Sequence, residues 1–126
     1  MRAFIPIMAV YIAAISSPAF AAALSSDDDI RRALVGNTIS GEEDGQAFTE
    51  YFKPDGTIAG EEAEGRYAGH WHIAGSQMCL RYEEDEGKEG NWECLRVDVD
   101  GTRVTWLSEG EATTSATLTP GNPGKF

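Results

Sequence analysis

The segment "CLRYEEDEGKEGNWEC", from Cys79 to Cys94, holds both cysteines of the chain. Two thiols at this spacing are open to three chemistries: a structural disulfide, a pair of metal ligands, or free redox thiols. His70-x-His72, just upstream, places two imidazoles on one side of a strand, which is half of a zinc or copper site. An even pair of cysteines in an exported chain bridges, and a redox pair would be expected as a close C-x-x-C at a helix start. A structural Cys79–Cys94 disulfide is therefore the expectation. It leaves no free thiolate for the histidines. Their expected neighbours are Arg81 and the disulfide, with no carboxylate close by, and a cation beside a metal site raises its electrostatic cost. Neither a metal nor another cofactor is expected.

The same residues suit a different chemistry. His70, His72, Arg81, Trp92 and Arg96 fall on one face and form a candidate basic-aromatic binding patch. With Trp92 stacked on Arg81, it would suit an anionic or carboxylate-bearing partner. The plainer alternative is a half-solvated face whose long side chains cover the disulfide. The acidic run Glu83–Glu89 lacks the alternating oxygens and placed glycine of a calcium loop, as does "DVDGTRVTWLSE". It reads as a solvated hairpin tip.

Enzyme signatures are missing: there is no G-x-S-x-G elbow, no H-E-x-x-H and no phosphate loop. With the cysteines bridged, a nucleophile would have to be a Ser or Thr activated by one of the two histidines. Glu93 is expected on the inner face beside Leu80, either buried with a raised pKa or at the rim near the acidic tip. No catalytic residue is assigned, and the chain is read as a non-enzyme.

Compartment and charge narrow the partners. Arg2, the apolar run "AFIPIMAVYIAAIS" and the small-x-small triplet "AFA" read as a signal peptide over residues 1–21, cut after Ala21. The expected location is periplasmic or extracellular. Of the 126 residues, 10 are Lys or Arg and 21 Asp or Glu, a formal charge of −11. Such a surface repels phosphate backbones and anionic membranes. Nucleic acid is excluded as a partner, and no membrane span is expected after the leader is removed. Residues 22–126 read as one domain, expected to be a monomer.

The elements that must position these residues are short. "SSDDDIRRALVG" reads as one helix, capped by Ser26 or Asp27, acidic in its first turn and ended by Gly36. The rest is a run of β segments with turn signals every 8–12 residues. A Gly75-Ser76 turn pairs Ile73 with Met78, Trp71 with Leu80, His72 with Cys79 and His70 with Arg81. Setting Cys79 opposite Cys94 pairs Met78 with Leu95, Leu80 with Glu93 and Arg81 with Trp92. An Asp100-Gly101 turn pairs Val99 with Thr102, Val97 with Val104, Leu95 with Trp106 and Asp98 with Arg103. "FKPDGT" supplies a further hairpin. These choices gather Trp71, Ile73, Met78, Leu80, Tyr82, Leu95, Val97, Val99, Val104 and Trp106 on one apolar face. The tail "PGNPGKF" reads as a loose or extended end.

Leu34-Val35-Gly36-Asn37-Thr38, Asp55-Gly56-Thr57, Gly69-x-Trp71, Cys79 and Cys94 together resemble small secreted bacterial proteins of unassigned function with a lipocalin-like or related β-barrel form. The resemblance implies a fold and a compartment, and no catalytic residue. The expected fold is all-β: a small antiparallel meander or barrel of seven or eight strands with a short N-terminal helix, a sandwich being the alternative. Trp71, Trp106, Tyr82, Met78 and Leu80 are expected to fill the barrel. The expected function is then recognition of a protein or small anionic ligand at the surface. The alternatives are a small-molecule carrier using the barrel interior, or an unrecognised hydrolase-type enzyme.

Overall fold

The structure is a computed structural model describing residues 22–23, 26–84 and 88–126. The expected leader, and Asp85, Glu86 and Gly87 of the acidic tip, lie outside the described residues. The described elements are β1 (Ala22–Ala23), α1 (Asp27–Leu34), β2 (Thr38–Glu43), β3 (Gln46–Phe52), β4 (Thr57–Glu62), β5 (Gly65–Ala74), β6 (Gln77–Glu84), β7 (Lys88–Glu89), β8 (Glu93–Asp100), β9 (Arg103–Ser108) and β10 (Glu111–Thr119).

Eight of these strands, β2 to β6 and β8 to β10, close an antiparallel barrel, not a sandwich. Neighbours in sequence pair as a meander, β10 returns to β2, and β6 meets β8 through Met78–Leu95, Cys79–Cys94 and Leu80–Glu93. The two-residue strands are accessory: β1 lies along the second half of β8, and β7 pairs with the end of β6.

Turn chemistry sets the registers. Gly75-Ser76 has positive φ at both residues, the I′ requirement, and it yields the expected pairs from Ile73–Met78 to His70–Arg81. The β8–β9 turn differs from expectation. Gly101 and Thr102, not Asp100 and Gly101, occupy its two central positions, and only Gly101 has positive φ, as a II′ turn needs. The observed pairs are Val99–Val104, Val97–Trp106, Asp98–Thr105 and Asp100–Arg103. This register places valine against valine and aspartate against arginine, and it spares Asp100 a left-handed backbone. The shift is two residues, so every side chain keeps its face.

One end of the barrel is filled. Ser26 accepts a hydrogen bond from the Asp29 amide at 3.1 Å, and three aspartates occupy the first turn of α1 at the positive end of its dipole. Ile30 and Leu34, one turn apart, are fully buried with Phe52, Ile58, Met78, Val97 and Val104, and Trp71 belongs to the same cluster. Asp27 accepts the Ser76 amide at 2.8 Å, tying the helix to the β5–β6 turn. The expected core residues Trp71, Leu80, Leu95, Val97, Val104 and Trp106 are all buried in this one cluster.

The tail departs from its expected looseness. The Gly121 amide donates to Asn37 Oδ1 at 3.0 Å, and the Thr38 hydroxyl donates to the Gly121 carbonyl at 2.7 Å. Asn122 exchanges two hydrogen bonds with the Phe126 backbone, and the Arg66 guanidinium lies over the Phe126 ring. Polar side chains on the first residues after α1 hold a segment that composition alone marks as free.

Candidate functional site

Period-2 alternation turns Phe48, Glu50 and Phe52 of β3 inward, an acid on an otherwise apolar face. Glu50 stands opposite Gly60 in β4, and Gly60 stands opposite Tyr67 in β5. A Cβ built at Gly60 would overlap the Tyr67 ring. The bare glycine therefore lets the tyrosine lie across β4, and its hydroxyl donates to Glu50 Oε1 at 3.1 Å. Gly69 lies one strand over, where a Cβ would meet the Arg81 carbonyl before the Tyr82 ring. It stands opposite Tyr82, whose ring meets that of Tyr67 edge-on at 5.8 Å.

Glu50 is 3% exposed. Burial pushes its pKa up to about 7, hydrogen bonds from Tyr82 and Tyr67 pull the other way, and Glu43 adds a further rise. Both phenols are raised above their usual value, first by removal from water and then by the charge of Glu50, so they remain hydrogen-bond donors. Tyr82 keeps 37% of its surface open at the mouth of the barrel, while its hydroxyl end is turned to Glu50.

Above this triad the barrel is hollow. A cavity of about 450 Å3 opens at the end carrying the β2–β3, β4–β5 and β9–β10 turns. Its walls are Ile39, Phe48, Tyr67, Leu80, Tyr82, Leu95 and Trp106, with Thr113, Thr114 and Gln46 nearer the opening. Glu43, Asp44, Glu50, Glu62, Glu83 and Glu93 add six carboxylates, and no Lys, Arg or His is among the described lining residues. The expectation of a barrel filled by its own side chains holds only for the α1 end. In the other half, Glu50, Gly60 and Gly69 take inward positions among the large side chains that line the wall. Trp71 lies at the filled end, donating its Nε1–H to the Lys53 carbonyl at 2.9 Å, so Trp106 is the tryptophan that faces the cavity. Glu93 is exposed at the rim, one of its two expected settings.

The expected outer-face residues are brought together in part. Cys79 and Cys94 are disulfide-bonded. The Arg81 guanidinium lies 4.5 Å over Trp92, and the His72 ring meets Trp92 edge-on at 4.3 Å. His70, His72, Arg81 and Arg96 all face away from the tryptophan core, with Arg96 exposed and opposite Leu107. The expected absence of a carboxylate is corrected: Glu89 Oε2 is 2.8 Å from Arg81 Nη2, and its other oxygen is 3.8 Å from His70 Nδ1. The expected Arg81–Trp92 strand pair is also corrected, because ladder pairing stops at Leu80–Glu93 and resumes at Glu83–Glu89. Three residues of one chain segment oppose two of the other between these points, a bulge that moves Glu89 onto the Arg81 face. His72 and the two sulfurs lie within 4.8 Å of one another. Sulfurs bonded to each other offer no thiolate, so the cluster has no metal-binding thiol in this state.

Glu50 and Tyr67 were not legible as site residues, and Tyr82 was legible only as core. The available signals were an acid on the apolar face of "AFTEYF" and glycines inside two strands at inward positions. No protein-family model matches the chain, and no curated protein matches it at a significant level.

Proposed function

We propose that this protein binds a small molecule inside its barrel, as an exported, non-catalytic, lipocalin-like carrier. One observation carries the reading: a cavity of about 450 Å3, open at one end of a closed eight-stranded barrel. That volume falls within the roughly 300–1,000 Å3 of small-molecule sites, and an apolar wall with a few convergent polar groups is their usual lining. A disulfide is compatible with an extracellular or periplasmic location, and no described helix is long and apolar enough to cross a membrane.

Recognition at the outer face is the second reading, and Trp92, 40% exposed beside the disulfide, favours it. The ion pair between Arg81 and Glu89 weakens its original rationale, since the patch is closer to neutral than basic.

A titration with the neutral fluorophore N-phenyl-1-naphthylamine separates the two. The carrier reading expects saturable, one-to-one fluorescence enhancement that Thr114→Phe, which fills the cavity from β10, abolishes without changing the circular dichroism spectrum. Arg81→Gln with Arg96→Gln should leave uptake unchanged. Enhancement indifferent to Thr114→Phe, or no enhancement together with no binding of an indole cation, neutral or anion, would overturn the reading.

A further inference from the structure

Every charged side chain in the described lining of the cavity is acidic, and one of them, Glu50, sits at its floor with almost no access to water. Carboxylates around the mouth set up a negative potential that attracts cations and repels anions. Aromatic faces from Phe48, Tyr67, Tyr82 and Trp106 border the same space and favour a cation held against them. A neutral apolar ligand would have to cross this rim and then rest against a buried carboxyl group with no polar atom to offer it. An anionic ligand would meet like charge at every level.

We propose that the ligand is an organic amine with a flat apolar body, its ammonium group paired with Glu50 and its body against Tyr67, Tyr82 and Trp106. The inference deepens the carrier reading and rests on it. It differs from the expectation of an anionic ligand, which followed from the outer face alone.

Binding of this kind is linked to protons. The groups facing Glu50 are Glu43 from β2, Tyr67 from β5 and Tyr82 from β6, with Glu62 of β4 above Gly60 on the way to the mouth. Ordinary carboxylates finish titrating below pH 6, and a primary alkylammonium keeps its proton to about pH 10. Glu50, raised to about 7 by burial, is the group of the cavity lining that changes charge between pH 6 and 8. An arriving ammonium displaces the Glu50 proton to solvent and leaves the carboxylate paired, so affinity rises with pH across this interval.

The test is a calorimetric titration of the full exported chain with three indoles of matched shape: tryptamine (cation), 3-methylindole (neutral) and indole-3-acetate (anion). Tryptamine should bind about tenfold or more tighter than either of the others at pH 8, the scale of a charge-assisted hydrogen bond. Its affinity should fall several-fold at pH 6, with proton release at pH 7 detected as a dependence of the heat on buffer ionisation enthalpy. Glu50→Gln should remove both the preference and the pH dependence. If that variant fails to fold, the wild-type pH profile and proton count carry the test. Equal or tighter binding of 3-methylindole or indole-3-acetate, or no proton release, would overturn the amine assignment and leave the carrier standing. Failure of all three indoles together with N-phenyl-1-naphthylamine would overturn the carrier itself.

Discussion

Tyr67 reaches Glu50 from two strands away, donating a hydrogen bond at 3.1 Å across the bare backbone of Gly60. The contact joins β3 to β5 over a β4 position that carries no side chain. It places a polar group at the level where the filled half of the barrel gives way to the hollow half. Its energetic value depends on Glu50, because a buried carboxyl without donors would cost several kcal/mol.

The first prediction follows from that burial. Well below pH 4.5, the ordinary value for this carboxyl, folded and unfolded chains both hold the Glu50 proton. Above it the unfolded chain releases the proton, while the folded chain keeps it up to about 7. The folded state then binds more protons, and stability falls as pH rises through this window. A shift of this size corresponds to about 3 kcal/mol as a ceiling. Urea unfolding at pH 5 and pH 8 should show the wild type losing up to that amount relative to Glu50→Gln. Parallel stability curves would show that Glu50 ionises in the ordinary range.

Gly60 should be intolerant of any side chain while Tyr67 is present. Gly60→Ala places a methyl group in the Tyr67 ring and should cost about 1–3 kcal/mol, the scale of overpacking in a formed core. Tyr67→Ala removes the obstacle, so in the double variant the alanine at position 60 should cost much less. The check is a double-mutant cycle by chemical denaturation. Additive costs would mean that the ring does not occupy the space over Gly60.

The disulfide closes the loop from β6 to β8, the pairing that completes the barrel. A loop of this length is worth about 3 kcal/mol in the chain-entropy model. Replacing both cysteines by serine should lower stability by about 2–5 kcal/mol. An unchanged melting temperature would show that the strand pairs alone hold the closure. A count of two free thiols in the denatured, unreduced protein would mean that the bridge does not form.

What the sequence made legible was nearest-neighbour structure. The Gly75-Ser76 turn and the Cys79–Cys94 register were readable because a two-residue turn and an apolar alternation each determine a pairing, and the two agreed. Ser26, the aspartates and Gly36 marked α1 by local chemistry in the same way. The Glu50–Tyr67 contact was not readable, since it spans three strands and depends on a missing side chain at Gly60. The Glu89–Arg81 ion pair was hidden by the bulge before β8, because one extra residue reverses the face on which Glu89 emerges. The cavity was hidden for a related reason: counting large inward residues did not ask at which height along the barrel each one sits.

The last prediction concerns the turn whose register differed from expectation. Gly101, with φ of +60°, holds the first central position of the β8–β9 turn, while Asp100 remains in the strand opposite Arg103. A left-handed backbone at that position is costly for any residue with a Cβ. Gly101→Ala should therefore destabilise by about 1–2 kcal/mol although no atom lies near the new methyl group. Asp100→Ala should cost only about 0.5 kcal/mol, the value of an exposed cross-strand charge pair, and that cost should shrink in high salt. An Asp100-Gly101 turn would reverse part of this pattern. Asp100 would then occupy a left-handed position that aspartate tolerates better than alanine, and Asp100→Ala would be costly and independent of salt. Thermal denaturation of the two variants at low and high salt distinguishes the registers.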